Sequence, residues 1–308
     1  MFNDFIIVIL IAVIVDVFLG DPYGFYHPVR MIGGYITFFE KNFYKDSVLR
    51  GGILLVSTAA ISVFCYIAFS SVGWIAGVIA AWTFLSVKSL ASEGMKVYVF
   101  LQEGDLVRAR KALAMIVTRD TSSLDSAQIS RAVIETLSEN FVDAVLSPII
   151  YLVLFGIPGC ALYKSVSTLD SMVGYRTKKY EKFGKLSARA DDLLNFLPAR
   201  IAAFVVIPLA SVLTGNNPLR CYKTVIKDRL KHESPNSAHS EAAFAGSLGV
   251  ALGGSSVYHG KLENKPAIGA GLRSPEPAHI KKAVILMYAS SFTGLIIFLA
   301  IRYLSGVK

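Results

Sequence analysis

Charge and cysteine are both scarce in this chain of 308 residues. Asp, Glu, Lys and Arg make up 17% of the sequence, against roughly 25% in an average soluble domain. This deficit argues against an ordinary soluble protein. The three cysteines, Cys65, Cys160 and Cys221, form no CxxC pair, so neither a cysteine metal site nor a redox pair is indicated.

Several motifs of known chemistry are also missing. The sequence has no GxxxxGK(S/T) loop, no GxGxxG followed by an acid on a strand pattern, and no kinase signature. The five histidines form no HExxH or similar metal spacing, so we expect most of them to be structural or exposed. The sequence also lacks a DxHxxG stretch, the motif through which some proteins bind cobalt by a histidine. A cobalt ligand held by the protein is therefore not indicated.

Apolar runs, in contrast, are abundant, and hydrophobic residues make up 54% of the chain. Six segments stand out, at approximately residues 5–19, 51–69, 72–87, 144–162, 198–214 and 283–301. A membrane-spanning helix needs about 20 apolar residues. We therefore predict an all-α polytopic integral membrane protein with about four to six membrane helices and long, partly helical polar loops. The runs extend from end to end, which favours a single membrane-embedded domain over residues 1–308.

The loops between these segments are basic, and the net charge of the chain is +9. Loops A, B, C and D cover residues 20–50, 88–143, 163–200 and 215–282, with 4, 7, 8 and 10 Lys and Arg residues. The basic residues form no arm or patch, so nucleic acid is not an expected partner. The positive-inside rule places B and C in the cytoplasm, but six simple spans would put C on the opposite face.

One hypothesis resolves this conflict: segments four and five return to the face from which they start. Segment four carries Pro148, Gly156, Pro158 and Gly159, which is typical of a broken or re-entrant segment. In loop B, apolar spacing predicts a helix over residues 97–117 and a second helix from about 122–125 through 143.

The first polar constellation surrounds the end of segment one. Asp16 lies in the apolar run, and Asp21, His27 and Arg30 follow on a loop stiffened by prolines. An acid inside an apolar helix is costly unless it is paired or faces a polar cavity. Two interpretations stay open: a functional site, or a helix-end turn in which Asp16 pairs with an Arg or Lys.

The second constellation lies at the end of loop B. Arg131, Glu135, Glu139 and Asp143 are spaced by four residues and form one slowly drifting stripe on a helix. Carboxylates on one stripe suit Mg²⁺, which prefers oxygen ligands. The alternative is an exposed, salt-bridged helix face.

Two further constellations follow. Loop C offers phosphate-binding, metal-binding or helix-capping groups at Asp170, Arg189 and the Asp191–Asp192 pair. The lysines of loop C are typical of a solvated helix face. In loop D, Ser237 is a candidate helix cap that could bind an anion at the helix N-terminus. The glycines that follow, in the stretch 246–254, could instead serve close helix packing.

In this order, the four constellations resemble the CobD/CbiB family, the adenosylcobinamide-phosphate synthases. The resemblance is carried by DVFLGDPYGFYHPVRMIG at 16–33, ISRAVIETLSENFVDAVLSPIIY at 129–151, STLDSMVGYRTKKYEKFGKLSARADDLLNFLPARI at 167–201 and NSAHSEAAFAGSLGVALGG at 236–254. It implies an enzyme of the bacterial or archaeal cytoplasmic membrane, with cytoplasmic site loops. This enzyme would join adenosylcobyric acid to aminopropanol or its phosphate, consuming ATP.

Roles for individual residues are expected on that basis. The expected catalytic residues are Asp21, His27, Arg131, Glu135, Glu139 and Asp143. The expected substrate- or phosphate-binding residues are Arg30, Asn140, Asp170, Arg189, Asn195, Asn236 and Glu241. The expected Mg²⁺ ligands are Glu135, Glu139 and Asp192.

The expected partners are ATP with Mg²⁺, the corrinoid as a substrate, the amine, membrane lipid and a second copy of the chain. A transporter for a corrinoid or another anion is the alternative class, because intramembrane acids and broken helices also suit transporters. A non-catalytic membrane scaffold is a third.

Overall fold

The computed structural model describes residues 2–22, 27–175, 177–258 and 261–306, and four residues of the first resembling block, 23–26, lie outside this part of the chain. The described residues are mainly helical. The helices are α1 (Phe2–Leu19), α2 (Pro28–Phe43), α3 (Val48–Ser70), α4 (Trp74–Trp82), α5 (Val87–Gln102), α6 (Leu106–Ala114), α7 (Ser126–Phe141), α8 (Ser147–Val173), α9 (Lys185–Ile201), α10 (Ile207–Leu213), α11 (Pro218–Asp228), α12 (Ser237–Leu248) and α13 (Pro277–Ser305). Strands β1 (Leu252–Tyr258) and β2 (Lys261–Ile268) form an antiparallel pair.

Five helical stretches are long and apolar enough to cross a membrane. They are Val48–Ser70, Trp74–Gln102, Ser126–Val173, Lys185–Leu213 and Pro277–Ser305, and a shorter apolar helix covers Phe5–Leu19. The predicted fold class, an all-α polytopic membrane protein, is confirmed.

One loop helix was predicted too long. The helix expected over 97–117 is broken into α5 and α6, because Gly104 adopts a left-handed conformation (φ 74°) and the Asp105 side chain caps α6 by accepting from the Arg108 amide at 2.8 Å. The second predicted helix is α7, which begins with a reciprocal capping box between Asp125 and Gln128.

The described chain divides into two compact units that interleave in sequence. Unit 1 comprises residues 1–88, 143–195 and 295–308, and unit 2 comprises residues 89–142 and 196–294. The single domain expected from the sequence stays a prediction.

In unit 1, the acid inside segment one has a structural role. Asp16 is fully buried, and its carboxylate accepts the backbone N–H of Val87 at 3.0 Å. Val87 is the first residue of α5, whose N-terminal amides lack partners within the helix. Asp16 therefore caps α5 across the fold, an arrangement that neither open interpretation contained.

Segment four, also in unit 1, reverses its direction within α8. The backbone of Gly156 is non-helical (φ 70°, ψ −169°), a conformation essentially restricted to glycine. Beyond it, the Cys160 thiol contacts the Pro148 carbonyl at 3.4 Å, and Tyr163 donates to the Asp143 carbonyl at 3.0 Å. Residues 12 apart in a straight helix would be separated by about 18 Å. Residues 143–155 and 157–173 are therefore the two arms of a helical hairpin.

Segment five begins a second reversal, in unit 2. Helix α10 is followed by a turn at Gly215 (φ 68°) and by α11, which packs against it. Arg200, before the turn, donates to the Asn236 side chain at 3.0 Å. The chain after α11 has thus returned to the level of the start of segment five. Each reversal brings the chain back toward the side from which the segment starts, as the returning-segment hypothesis requires.

Prolines in these segments leave carbonyls that no helical amide can reach, because proline has no N–H. Tyrosines from other elements supply the missing donors. Tyr151 donates to the Leu194 carbonyl at 3.1 Å, four residues before Pro198. Tyr222 donates to the Phe204 carbonyl at 2.9 Å, four residues before Pro208. The hydroxyls stabilise proline-bearing helices in apolar surroundings, where an unpaired carbonyl is costly.

The reversals predict the sidedness of the loops. In a cysteine-free background, single cysteines at the exposed positions Ser122, Glu181 and Glu276 should react with a membrane-impermeant maleimide from one face, because the chain enters and leaves each hairpin on the same side. A cysteine at Ser71, in the turn after α3, should react from the opposite face. Labelling of the Ser122 and Glu181 positions from opposite faces would contradict the return of segment four.

Candidate functional site

Unit 2 contains a buried group of charged side chains along α7. Glu135 is 9% exposed and accepts from the Arg119 guanidinium at 2.6 Å and from the Gly253 amide at 2.7 Å. Arg119, 10% exposed, comes from the loop before α7. Both carboxylate oxygens of Glu135 therefore have partners in the protein, and a metal ion would have to displace them.

One turn further along the stripe, Glu139 meets two residues of loop D. Side-chain atoms of Glu139, His232 and Glu241 that could bind a ligand all lie within 4.8 Å of one another. Glu241 is 6% exposed and makes no hydrogen bond or ion pair with any described residue. Burial, together with the nearby carboxylates of Glu139 and Glu135, raises the pKa of Glu241 well above its usual range.

The imidazole of His232 is held in one orientation. Its Nδ1 accepts the backbone N–H of Ser234 at 3.0 Å, so the proton of the neutral ring lies on Nε2. Burial lowers the pKa of His232 and favours this neutral form, although the Glu139 carboxylate opposes the shift. Neither ring nitrogen thus has a lone pair free for a metal ion.

Arg131 begins the stripe and faces the start of the β-hairpin. Its Nη2 lies 3.5 Å from the Ser255 carbonyl, and its buried Nε has no hydrogen-bond partner among the described residues. A Cβ at Gly254 (φ 88°) would lie 3.1 Å from Nη1, so glycine permits this close approach. Arg131 therefore keeps donor capacity for an anionic ligand.

Helix α12 is buried along its whole length. Its Gly246 packs directly on α11, where an added Cβ would lie 2.7 Å from the Arg220 carbonyl. This glycine therefore serves close helix packing, one of the two interpretations of the stretch 246–254. Asn236 does not cap the helix with its side chain. Burial, together with the neighbouring Arg200 and Arg229, lowers the pKa of His239 to about 4.

Unit 1 holds most of the other predicted residues. His27 caps α2 by accepting the Val29 amide at 3.2 Å through Nδ1, and its Nε2 lies 3.5 Å from Asp21. Burial lowers the pKa of His27, and Asp21 opposes this shift. The pair predicted as base candidates is therefore in contact, while Arg30 is exposed.

Asn195 is the centre of a buried polar network in unit 1. Its Oδ1 accepts from Ser147 at 2.7 Å and from Tyr163 at 2.9 Å, and its Nδ2 donates to Asp191 at 3.0 Å. Ser147 and Tyr163 belong to opposite arms of the hairpin at Gly156. Asn195 therefore holds the two arms and α9 together, and its predicted role in substrate binding stays a prediction.

The remaining predicted residues are more dispersed. Asp170 and Asp192 are each close enough to Asp191 to interact electrostatically, whereas Arg189 is exposed. In unit 2, Asn140 donates to the Thr136 carbonyl of its own helix at 2.9 Å.

The predicted Mg²⁺ ligands are not brought together within either unit. Glu135 and Glu139 belong to unit 2 and Asp192 to unit 1, and Glu139 groups with His232 and Glu241 instead. Sequence reasoning missed His232 and Arg119. His232 follows Glu139 by 93 residues, and no periodicity links positions so far apart.

The family model and the related proteins that match this chain point to the same family. A family described as CobD/Cbib protein matches residues 9–287. A protein of Streptococcus sanguinis (strain SK36) named cobalamin biosynthesis protein CobD is 42% identical over 304 residues, covering 95% of this chain and 96% of its own. Proteins of the same name from Clostridium perfringens and Klebsiella pneumoniae are 38% and 40% identical, and each alignment covers at least 95% of both chains.

No solved structure matches this chain. The family match and the relatives extend over nearly its whole length. On this evidence, the chain belongs to the CobD/CbiB family.

Proposed function

We propose that this protein is a membrane enzyme of cobalamin biosynthesis that joins adenosylcobyric acid to (R)-1-amino-2-propanol or its O-phosphate in an ATP-dependent reaction. The family and the names of its relatives support the pathway. The observation that carries an enzymatic role is the cluster of Glu139, His232 and Glu241 in unit 2, in which buried Glu241 has no hydrogen bond or ion pair with a described residue. Arg131, on the same helix as Glu139, has a buried Nε without a partner among the described residues.

The chemistry requires such a group. A carboxylate is a poor acyl donor because its leaving group would be oxide. Transfer of the γ-phosphoryl group of ATP to the carboxylate gives an acyl phosphate and ADP. The amine then attacks the acyl carbon, inorganic phosphate leaves, and one amine proton must be accepted by a base. The site must also hold two reactants in a fixed orientation.

Residues of unit 2 fit several of these tasks. Arg131 is proposed to contact a phosphate or carboxylate oxygen through its free donors. Glu139 and Glu241 are proposed to handle the amine. Arg119 and Glu135 hold the β-hairpin start in place through the Gly253 amide, and Asn236 is fixed by Arg200.

Mg²⁺ is proposed to enter with ATP, where it would neutralise phosphate charge. Around Glu139, the carboxylates of Glu139 and Glu241 are the oxygen ligands that stay open to it among the described residues. Glu135 is occupied by Arg119 and Gly253, and His232 has no free lone pair. The proposal therefore assigns no step to a metal ion held by the protein.

In unit 1, the Asp21–His27 pair, Asp143, Asp170, Arg189 and Asp192 remain proposed contacts for substrates. We further propose the cytoplasmic membrane as the location, with loops A to D in the cytoplasm, where ATP is available. Self-association is part of the proposal and is tested by the mass of the purified particle.

The reaction is tested on purified protein with aminopropanol and its phosphate offered separately, and products are identified by mass spectrometry. Glu139→Gln and Arg131→Ala should each lower turnover at least about 100-fold, as removal of a transition-state contact does. Glu103→Gln, an exposed position in unit 2, is the matched control and should retain activity. Turnover near wild type in both site variants would contradict the site.

A transporter remains the second candidate, favoured by the helix reversals at Gly156 and Gly215, since broken helices are common at transport sites. ATP-dependent consumption of adenosylcobyric acid in detergent, where no gradient exists, would exclude transport as the sole function. A non-catalytic scaffold predicts no turnover and stable co-purification with other corrinoid enzymes.

A further inference from the structure

We infer that Glu139 and Glu241 form the subsite for the primary ammonium group of the amine substrate, and that this cluster is not a metal centre. The inference deepens the proposed function and rests on it. It concerns the chemical class of ligand that the two side chains accept.

The first argument is charge. Three carboxylates, Glu135, Glu139 and Glu241, lie near one another, and Arg119 is used by Glu135. The positive charges of Lys265 and Arg119 stabilise the ionised form of Glu241. The neighbouring carboxylates of Glu139 and Glu135 destabilise this form by more. Ionisation of Glu139 and Glu241 together is therefore unfavourable without a ligand, and a cationic ligand would stabilise the ionised pair.

The second argument is unused hydrogen-bonding capacity. Glu241 has no hydrogen bond or ion pair with the described residues, although it is almost fully buried. A buried carboxylate without a donor costs a large part of its hydration free energy. Glu139 accepts only a long contact from Ser237, at 3.4 Å. The two groups together offer several acceptor lone pairs to a donor that the protein does not supply.

The third argument separates an ammonium group from a metal ion. A histidine that binds a metal normally donates its other N–H to an acceptor. Here, Nδ1 of His232 instead accepts the Ser234 amide, which leaves Nε2 protonated. The imidazole thus offers no lone pair to a metal ion. Without a nitrogen ligand, the two carboxylates would hold Mg²⁺ or Mn²⁺ only together with waters or the phosphate oxygens of a substrate, whereas their oxygens match the three N–H donors of an alkylammonium group.

The two acids have a second task in this arrangement. His232 lies within 4.8 Å of them but makes no hydrogen bond to either acid among the described residues. Once the ammonium group is bound, a carboxylate of the pair is placed to accept the proton that the amine must lose before attack.

The test measures binding without ATP or corrinoid. Isothermal titration of the purified wild-type protein compares (R)-1-amino-2-propanol with propane-1,2-diol, which lacks the ammonium group, and with MnCl₂ alone. We expect the amine to bind and the diol not to bind, with no stoichiometric Mn²⁺ site. Glu241→Gln should weaken amine binding at least about tenfold, because a charge-assisted bond is lost. The exposed control Glu276→Gln should not change it.

Stoichiometric Mn²⁺ binding that Glu241→Gln abolishes would overturn the inference, and so would equal binding of amine and diol. The wild-type comparison of the two ligands decides the question even if a variant does not fold. Normal turnover by Glu241→Gln would remove the subsite and leave the proposed function standing. Intact amine binding without any turnover would contradict the proposed function alone.

Discussion

Replacement of Arg119 by Met is expected to lower the free energy of unfolding by about 3–5 kcal/mol, the usual cost of removing one partner of a buried ion pair. Arg119 and Glu135 are 10% and 9% exposed and 2.6 Å apart. Without the guanidinium, the Glu135 carboxylate would stay buried with only the Gly253 amide as a partner. Equilibrium unfolding in mixed micelles measures the change.

The double variant Arg119→Met with Glu135→Met should recover most of this loss, because a buried pair replaced by apolar side chains is often neutral. Arg108→Met is the control. Its ion pairs with Glu103 and Asp105 are exposed, and exposed pairs contribute little. Equal stability of the Arg119 variant and wild type would show that the pair does not hold unit 2 together.

Asn195→Leu is expected to destabilise unit 1 by several kcal/mol. Buried Ser147 and Tyr163 and half-buried Asp191 each lose a hydrogen bond to the amide. A buried polar group left without a partner costs about 1–3 kcal/mol. Thermal unfolding in detergent should show a clear fall in Tm.

The matched control is Asn42→Leu, an exposed asparagine of the same unit that contacts only its own helix. Its Tm should change little. If Asn195→Leu instead left Tm unchanged and raised KM in the turnover assay, the amide would act on substrate, as the family resemblance implies. The two readouts thus separate an architectural role from a binding role.

Features encoded in adjacent residues were predictable from the sequence. Apolar runs of about 20 residues indicate membrane helices because a helix rises 1.5 Å per residue. Pro148, Gly156, Pro158 and Gly159 predicted a broken segment, and the break is at Gly156. The spacing of Glu135 and Glu139 placed them on one face of α7.

Contacts between distant parts of the chain were not predictable. The Arg119–Glu135 pair joins a loop to a helix at a spacing of 16 residues, which no helical period gives. His232 reaches Glu139 only because loop D folds back on α7 within unit 2. The role of Asp16 as a cap for α5 depends on a partner 71 residues away. Such pairings arise from tertiary packing, on which a single sequence carries no periodic signal.

The two helix reversals also bear on how the protein is made. Under the proposed topology, segments four and five return, four segments cross the bilayer, and loops A to D stay on the side of synthesis. Apart from the chain ends, only the short turn between α3 and α4 must be carried through the hydrocarbon layer. The insertion machinery would then move almost no charged chain across the membrane. The basic loops can fold around soluble substrates while the helices are still being placed.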